Sequence, residues 1–214
     1  RIGATWSQAA QRPILARSSH ESPPGRRSRV AGIVGPPDTL RGDVTPLRYA
    51  ILSDIHGNLD ALEAVLAGIE REGVDSVLCL GDIVGYGPEP AACLHRIRKV
   101  ADHIVAGNHD LAVADKLSIR SFNVLAREAT LWTRHELSDG DIRFLADLEL
   151  QYNLDGLDIV HGTLCSPELF DYVQTTYDAA LSMAHMQNPV CFIGHSHVPV
   201  TFLQREVISY TLEP

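Results

Sequence analysis

From Tyr49 onwards, short apolar runs alternate with stretches whose apolar residues recur at helical spacing. Three apolar runs predict strands, over residues 49–52, 76–80 and 102–106. The apolar positions between the first two runs predict a helix, at Leu62, Val65, Leu66 and Ile69. Asn58 is placed to cap the start of this helix and Gly73 to end it. A second helix is predicted from Pro88 or Pro90 through Ile97. Strand and helix in this alternation predict a parallel sheet that is covered on both faces.

Residues 121–147 interrupt this alternation with two helical patterns. The first pattern has apolar positions at Phe122, Leu125, Ala129 and Trp132. In the second, Ser138 with Asp141 three residues later resembles a capping box, with Ile142 and Leu145 predicted to be buried. We expect this pair of helices to be a lid insertion beside the functional site.

The later part of the chain returns to strands. Apolar runs at 148–154 and 157–160 flank Asp155-Gly156, a dipeptide typical of a tight hairpin turn. A helix is predicted near residues 179–186, followed by strands over 190–193 and 198–203. The predicted class is therefore α/β with mixed sheets.

Residues 1–46 differ in composition from the rest, because they are rich in Pro, Ser and Arg and show no persistent period. Such a segment buries too little apolar surface to offset its ordering entropy, which predicts a disordered basic tail before a folded domain over 47–214. The net charge of −9 divides unevenly: residues 1–48 carry +5 and residues 49–214 carry −14. An acidic folded domain argues against nucleic acid as a partner.

Length and composition narrow the class further. The 214 residues suffice for one domain with a sizeable core, and no apolar run reaches the roughly 18–20 residues that span a bilayer. The sequence has no positively charged segment that is followed by an apolar one, so we do not expect a secretory signal. The four cysteines form no C-x-x-C pair, which favours reduced thiols in a cytoplasmic protein without a membrane partner.

Polar side chains capable of binding metal follow the predicted strands in a fixed order. They are Asp54, His56, Asp82, Asn108, His109, His161, His195 and His197. Because the carboxyl ends of parallel strands meet at one edge, we expect these groups to converge there. Mixed nitrogen and oxygen ligands suit Mn, Fe, Zn, Co or Ni, and we choose Asp82 as a carboxylate bridging two ions. Asp-x-His and Gly-Asp are weak signals alone, whereas Gly-Asn-His-Asp and Gly-His-x-His are more specific, and the whole set in this order makes coincidence improbable.

Other residue types that could carry chemistry have weaker support. Five histidines lack a partner motif and are assigned no role: His20, His95, His103, His135 and His185. Asp110 is interpreted as structural. Tyr86, Phe170 and Tyr172 could stack on a base or pack within the domain, and packing is favoured.

The ordered motifs resemble those of the calcineurin-like metallophosphoesterase superfamily. They read Asp54-Ile55-His56, Gly81-Asp82, Gly107-Asn108-His109-Asp110, His161 and Gly194-His195-Ser196-His197. The resemblance covers about residues 49–204, and the stretch from Gly81 to Pro88 is similar to the small bacterial YfcE-like phosphodiesterase branch. It implies a four-layer α/β/β/α sandwich.

The resemblance also implies roles for the residues. Asp54, His56, Asp82 and His197 would hold one metal ion, and Asp82, Asn108, His161 and His195 a second. His109 would face the substrate and protonate the leaving alkoxide. The ions would most often be Mn, with Fe, Ni, Zn or Co as alternatives. Metal-bound hydroxide would attack a phosphodiester or phosphomonoester of a small or nucleotide-like substrate.

Two departures from the family pattern keep alternatives open. Gly85-Tyr86-Gly87 stands where protein phosphatases carry Asp-Arg-Gly, so the phosphate-gripping Arg is absent. No Asn-Pro-Gly-Ser turn follows His197, so we expect a divergent or truncated C-terminal edge. The alternatives are a protein or dinucleoside-polyphosphate phosphatase, with lid cations from Arg120, Arg127 or Arg134, and an inert scaffold of the same fold. A homo-oligomer is also left open.

Overall fold

A computed structural model describes residues 47–205 and 207–212 of the chain. The predicted tail over 1–46 lies outside the described residues. The helices and strands, in chain order, are β1 Tyr49–Leu52, α1 Leu59–Glu72, β2 Ser76–Cys79, α2 Pro90–Val100, β3 His103–Ile104, α3 Asn108–Val113, α4 Val124–Glu136, α5 Asp139–Ala146, β4 Gln151–Leu154, β5 Leu157–Val160, α6 Thr176–Met183, β6 Val190–Phe192, β7 Val200–Gln204 and β8 Ile208–Leu212. None of the described helices is both long and apolar enough to cross a membrane.

The first sheet has the order β1-β2-β3 and is entirely parallel, as the sequence predicts. The capping residues of α1 also act as predicted. The Asn58 side chain accepts a hydrogen bond from the Ala61 amide, and Gly73 takes a left-handed conformation with φ 63° while its amide donates to Ile69. The ends of this crossover helix are thus determined by local sequence.

The second sheet has the order β4-β5-β6 and is mixed. The Asp155-Gly156 turn joins β4 to the antiparallel β5, whereas β6 pairs with β5 in parallel. A separate hairpin is formed by β7 and β8. Strand β8 was not predicted from the sequence, although Ile208 and Tyr210 alternate with polar residues as a half-buried strand requires.

Two apolar clusters show how the layers stack. On one side of the first sheet, Val77 and Cys79 point into a large core shared with α1, α2 and α5. On the other side, Leu78 and Leu80 pack against Leu157 and other residues of the second sheet. This alternation along β2 follows from the two-residue period of a strand.

The turn that follows α6 is hydrogen-bonded to the second sheet. The buried Asp158 carboxylate accepts hydrogen bonds from the backbone amides of Gln187 and Asn188, at 2.8 and 3.1 Å. The two stacked sheets and their helices are consistent with the four-layer α/β/β/α arrangement expected from the sequence.

The two helices of the predicted insertion pack against α3, and Leu145 is fully buried. Ser138 and Asp141 form the predicted capping box at the start of α5. Helix α4 begins at Val124, so Phe122 precedes it instead of lying within it. Helix α3 was also not predicted, because its first residues belong to the metal-ligand motif. The role of residues 121–147 as a lid remains a prediction.

Candidate metal centre

The polar residues that follow the strands converge on one cleft of about 310 Å³. Three groups of possible ligand atoms, each within 4.8 Å of one another, are Asp54 with His56 and His197, His56 with Asp82 and His109, and Asp82 with His161 and His195. Asn108 lines the same cleft. The structure thus brings together all eight residues singled out in the sequence, although up to 143 positions separate them.

The first group places imidazole nitrogens against a carboxylate. His197 Nε2 lies 3.2 Å from Asp54 Oδ1, and His56 Nε2 lies 3.2 Å from His197 Nε2. The backbone amide of His195 donates to both Asp54 oxygens, at 3.2 and 3.1 Å. The loop after β6 is therefore attached to the loop after β1.

Asp82 lies between the first group and the third. Its Oδ2 atom is 3.6 Å from His56 Nε2 and 3.4 Å from His161 Nε2. Its Oδ1 atom accepts a hydrogen bond of 2.9 Å from the His109 amide. One carboxylate oxygen is thereby held between two sets of imidazoles, which is the position that a bridging ligand needs.

Backbone carbonyls orient two of these imidazoles. His161 Nδ1 is 2.7 Å from the Leu80 oxygen, and His56 Nδ1 is 3.2 Å from the Val84 oxygen. A carbonyl only accepts, so Nδ1 carries the hydrogen and Nε2 of the neutral ring keeps its lone pair. Both Nε2 atoms lie within 3.6 Å of Asp82 Oδ2, so each can bind a metal ion once its ring is neutral.

Unpartnered atoms test whether this donor set fits metal ions. Asn108 Oδ1 and His161 Nε2 are buried without a hydrogen-bond partner. Such groups are costly unless something satisfies them, and a divalent cation would satisfy both. Carboxylate, amide and imidazole donors also match the ligands of Mn, Fe, Zn, Co or Ni. The residues present fit a metal centre.

The ligand loops carry backbone strain at residues other than glycine. Five residues of the set have positive φ angles between 49° and 67°: Asp54, His56, Asp82, His195 and His197. Non-glycine residues in this left-handed region cost energy and cluster at functional sites. This strain is a feature that the sequence patterns did not reveal.

The charges of the protein groups are strongly coupled. Burial acts to raise the pKa of Asp82, but His161 and His56 outweigh it and hold that pKa well below its usual range. Burial acts to lower the pKa of His161, yet Asp82 raises it to about 9. For His195, burial and then His161 lower the pKa to about 4. Asp82 therefore stays ionised and able to bind cations.

His109 has an environment unlike that of the other imidazoles. Its ring centroid lies 4.6 Å from that of Tyr86 and 5.0 Å from that of Phe122, and its Nδ1 atom is buried without a partner. Burial is the main reason that its pKa falls to about 4, although Asp82 opposes the shift. The negative charge of a bound phosphate would raise this pKa again.

Asp110 supports the loops from behind. Its carboxylate accepts hydrogen bonds from the amides of Ile83, Val84 and Gly107, at 3.0 to 3.2 Å. Burial, and then the charge of Asp82, raise its pKa to about 7. These contacts agree with the structural interpretation of Asp110.

The remaining histidines within the described residues lie outside the cleft. His95 pairs with Asp141 at 2.9 Å, His103 contacts the Tyr152 ring and His185 bonds the Leu181 carbonyl. The side chain of His135 is exposed. His20 falls in the segment before residue 47.

Four further residues line the cleft, namely Tyr86, Tyr172, Gln174 and Ser196. The two tyrosines were considered in the sequence with packing favoured, but both are about half exposed, whereas Phe170 is buried. Gln174 and Ser196 were missed. Ser196 lies between the two histidines of its motif, and Gln174 belongs to a loop without any pattern.

Residues 47–210 match the calcineurin-like phosphoesterase superfamily domain, and the chain belongs to this family. This agrees with the resemblance of its motifs. The similarity to a YfcE phosphodiesterase fits the YfcE-like branch of this family.

Three relatives illustrate the similarity. An uncharacterized protein of Methanocaldococcus jannaschii, MJ0912, is 38% identical over 154 residues, which cover 70% of this chain and 62% of that protein. Phosphodiesterase YfcE of Escherichia coli K12 is 28% identical, with 77% of each chain covered. A metallophosphoesterase from Sphaerobacter thermophilus of known structure superposes with a TM-score of 0.65 at 38% identity, over 76% of this chain and 65% of that one. This chain thus spans less than two thirds of the length of the first and third relatives.

Proposed function

We propose that the chain hydrolyses a phosphodiester or phosphomonoester of a small or nucleotide-like substrate, using two divalent ions, of which Mn is the first choice. The observation that carries this proposal is the position of Asp82 Oδ2 between His56 and His161. One ion would be held by Asp54, His56, Asp82 and His197, and the other by Asp82, Asn108, His161 and His195.

The bound ions would neutralise phosphate charge and lower the pKa of a water molecule, so that hydroxide is available to attack phosphorus near neutral pH. The protein groups orient the reaction. Asp82 is fixed by the His109 amide, and the Nε2 lone pairs of His56 and His161 are directed by carbonyl oxygens. His109 would give a hydrogen to the leaving oxygen, which balances the negative charge that develops when the P–O bond breaks.

We also propose a cytoplasmic location. This proposal rests on the free cysteines, because Cys79 and Cys93 are buried thiols and burial raises the pKa of Cys93 to about 12. A buried thiol with a raised pKa has little thiolate at neutral pH, so it reacts slowly with oxidants and with disulfides. No disulfide connects the four cysteines.

The first experiment compares hydrolysis of bis-p-nitrophenyl phosphate by the Mn-loaded wild type, His109→Ala and His135→Ala. His135 is the matched control because its side chain is 88% exposed. We expect His109→Ala to lose 10²- to 10⁴-fold in rate. Its Mn content, measured by mass spectrometry, should remain that of the wild type. An unchanged rate would overturn the role of His109.

A substrate panel separates the alternatives. The panel contains p-nitrophenyl phosphate, diadenosine tetraphosphate and a phosphoserine peptide beside the diester. Preferred turnover of the peptide or the tetraphosphate would favour a protein or dinucleoside-polyphosphate phosphatase. A folded, metal-loaded chain that hydrolyses none of the four would instead support the inert scaffold.

A further inference from the structure

Two half-exposed tyrosines stand at the mouth of the metal cleft. Tyr86 is 47% exposed and Tyr172 is 52% exposed, and both line the cleft. They come from distant parts of the chain, one in the loop after β2 and the other in the loop before α6. Tyr86 contacts the His56 ring and Tyr172 contacts the His195 ring, so the two tyrosines stand beside different groups of ligands in the same cleft.

Tyr172 presents one free aromatic face. Its other face stacks on the His195 imidazole, with centroids 3.9 Å apart and planes at 15°. Because half of the side chain is nevertheless exposed, the uncovered surface is available to a planar group. An aromatic ring placed there would extend the stack outward from the metal ligands.

Tyr86 is held rigidly despite its exposure. Its backbone is left-handed, with φ 59°, which is a strained conformation for a bulky side chain. Its ring lies edge-on to His56 at 4.9 Å and contacts His109 at 4.6 Å. A large aromatic ring fixed in this way beside the reactive groups costs little further entropy when it binds a ligand.

The polar lining limits the charge of the substrate. Among the described residues that line the cleft, none is Lys or Arg, and Gln174 and Ser196 are neutral. Arg134 of the predicted lid donates to the carbonyls of Val113 and Ala112 instead. A singly charged diester needs no cation beyond the metal ions, whereas a chain of several phosphates would find no Lys or Arg among the described residues that line the cleft.

We infer that Tyr86 and Tyr172 form an aromatic clamp that selects phosphodiesters carrying a nucleobase or another planar ring. The inference rests on the proposed function, because the metal centre must hold the phosphate that the ring accompanies. The clamp would bind the ring, and the ions and His109 would act on the ester bond. Tyr86 and Tyr172 are thus specificity-determining residues.

The test uses two diesters with one leaving group: thymidine 5′-(p-nitrophenyl phosphate) and methyl p-nitrophenyl phosphate. We expect the wild type to have a kcat/KM about 5- to 100-fold higher for the thymidine ester, as base stacking predicts. In Tyr86→Ala and Tyr172→Ala this ratio should approach one. A substitution that only disturbs the metal ligands would lower both rates and leave the ratio unchanged, which would overturn the inference.

Tyr177→Ala is the matched control, because Tyr177 is 70% exposed and does not line the cleft; it should keep the wild-type ratio. Binding gives a second readout without turnover. In protein loaded with diamagnetic Zn, adenosine, but not ribose, should shift the NMR signals of the Tyr172 ring. If the wild type hydrolyses both esters and the ratio of their kcat/KM values is near one, the clamp is refuted and the proposed function is not. Hydrolysis of neither ester by folded, metal-loaded protein would refute the proposed function instead.

Discussion

The two halves of the domain contribute to the site in different ways. The first half comprises residues 47–147. It places Asp54 and Asp82 on loops that follow strands of a buried parallel sheet, and His109 in the first turn of α3. Residues 148–212, the second half, add three imidazoles, and several strand residues near its end are exposed, among them Leu203 and Tyr210. The carboxylates thus come from the better buried half.

The difference also appears in how each group is held. Asp82 and Asp110 are fixed by amides of their own half, at His109 and Gly107. The imidazoles of the second half depend on contacts across the domain, as His161 does on Leu80. A metal centre at this border would therefore join the halves as well as serve chemistry.

The strongest test of this comparison is Asp82→Asn. The change keeps the shape but removes the charge shared by both groups of ligands, so both ions should bind far more weakly. Activity on the diester should fall on the order of 10³-fold or more. Metal content by mass spectrometry provides the measurement.

Asp115→Asn is the control for that substitution, since its side chain is 85% exposed. It should keep both metal and rate. Retention of two ions in Asp82→Asn would contradict the bridging position.

A second test compares the packing of one leucine in each half by replacing each with alanine. Leu94→Ala removes a fully buried side chain from α2, whereas Leu203→Ala trims one that is 46% exposed on β7. We expect losses in the free energy of unfolding of about 2–5 kcal/mol and below about 0.5 kcal/mol, respectively. Urea unfolding measures both, and equal losses would argue against a difference between the halves.

A third test concerns the placement of His109 within the first half. Gly85 has φ +89°, and a methyl group there would lie 2.7 Å from His109 Nδ1. Gly85→Ala should therefore displace the ring and lower kcat by about 10²-fold while metal content is kept.

Gly156 provides a matched control for Gly85, because its φ is +85° and nothing lies within 4 Å of an added methyl group. Gly156→Ala bears the same backbone strain without the clash. If both variants lose kcat equally, the cause is lost stability and not the position of His109.

The smallest effect is expected at Asp158 of the second half. Burial acts to raise its pKa, but hydrogen bonds from Asn153 and Asn188 lower it below the ordinary value of 3.8. A lowered pKa means that the carboxylate stabilises the fold above that value and loses this contribution as pH falls through the folded-state pKa. Asp158→Asn should cost about 2 kcal/mol at pH 7.

The difference in stability between Asp158→Asn and the wild type should begin to shrink below about pH 4, where the carboxyl of the unfolded chain binds a proton, and should shrink further as pH falls through the lowered folded-state pKa. Thermal melts across pH 3–7 would detect this. A difference that stays constant with pH would show that the charge contributes nothing.

The sequence predicts most accurately where structure is determined locally. The caps at Asn58, Gly73 and Ser138 need only their near neighbours, and these predictions are confirmed. The parallel order of the first sheet follows from the length of its crossovers. By contrast, β8 depends on pairing with β7, and its weak apolar pattern is not distinctive without that partner.

The same distinction applies to the site. The motif residues could be found because each directly follows a strand, and strand ends converge by geometry. The exposure of Tyr86 and Tyr172 and the place of Gln174 in the cleft lining could not be predicted, since they depend on how loops from two halves meet. Whether these side chains are exposed depends on the tertiary packing of the loops that form the cleft.

The left-handed residues of the ligand loops have a consequence for how this domain can change over evolution. After glycine, asparagine is the residue that accepts this conformation most readily, and it differs from aspartate by a single group. At Asp54 and Asp82 the substitution that best preserves the loop conformation, aspartate to asparagine, is thus also one that removes a charged metal ligand. Descendants of such a protein could keep the shape of the cleft while becoming receptors for the esters they once cleaved.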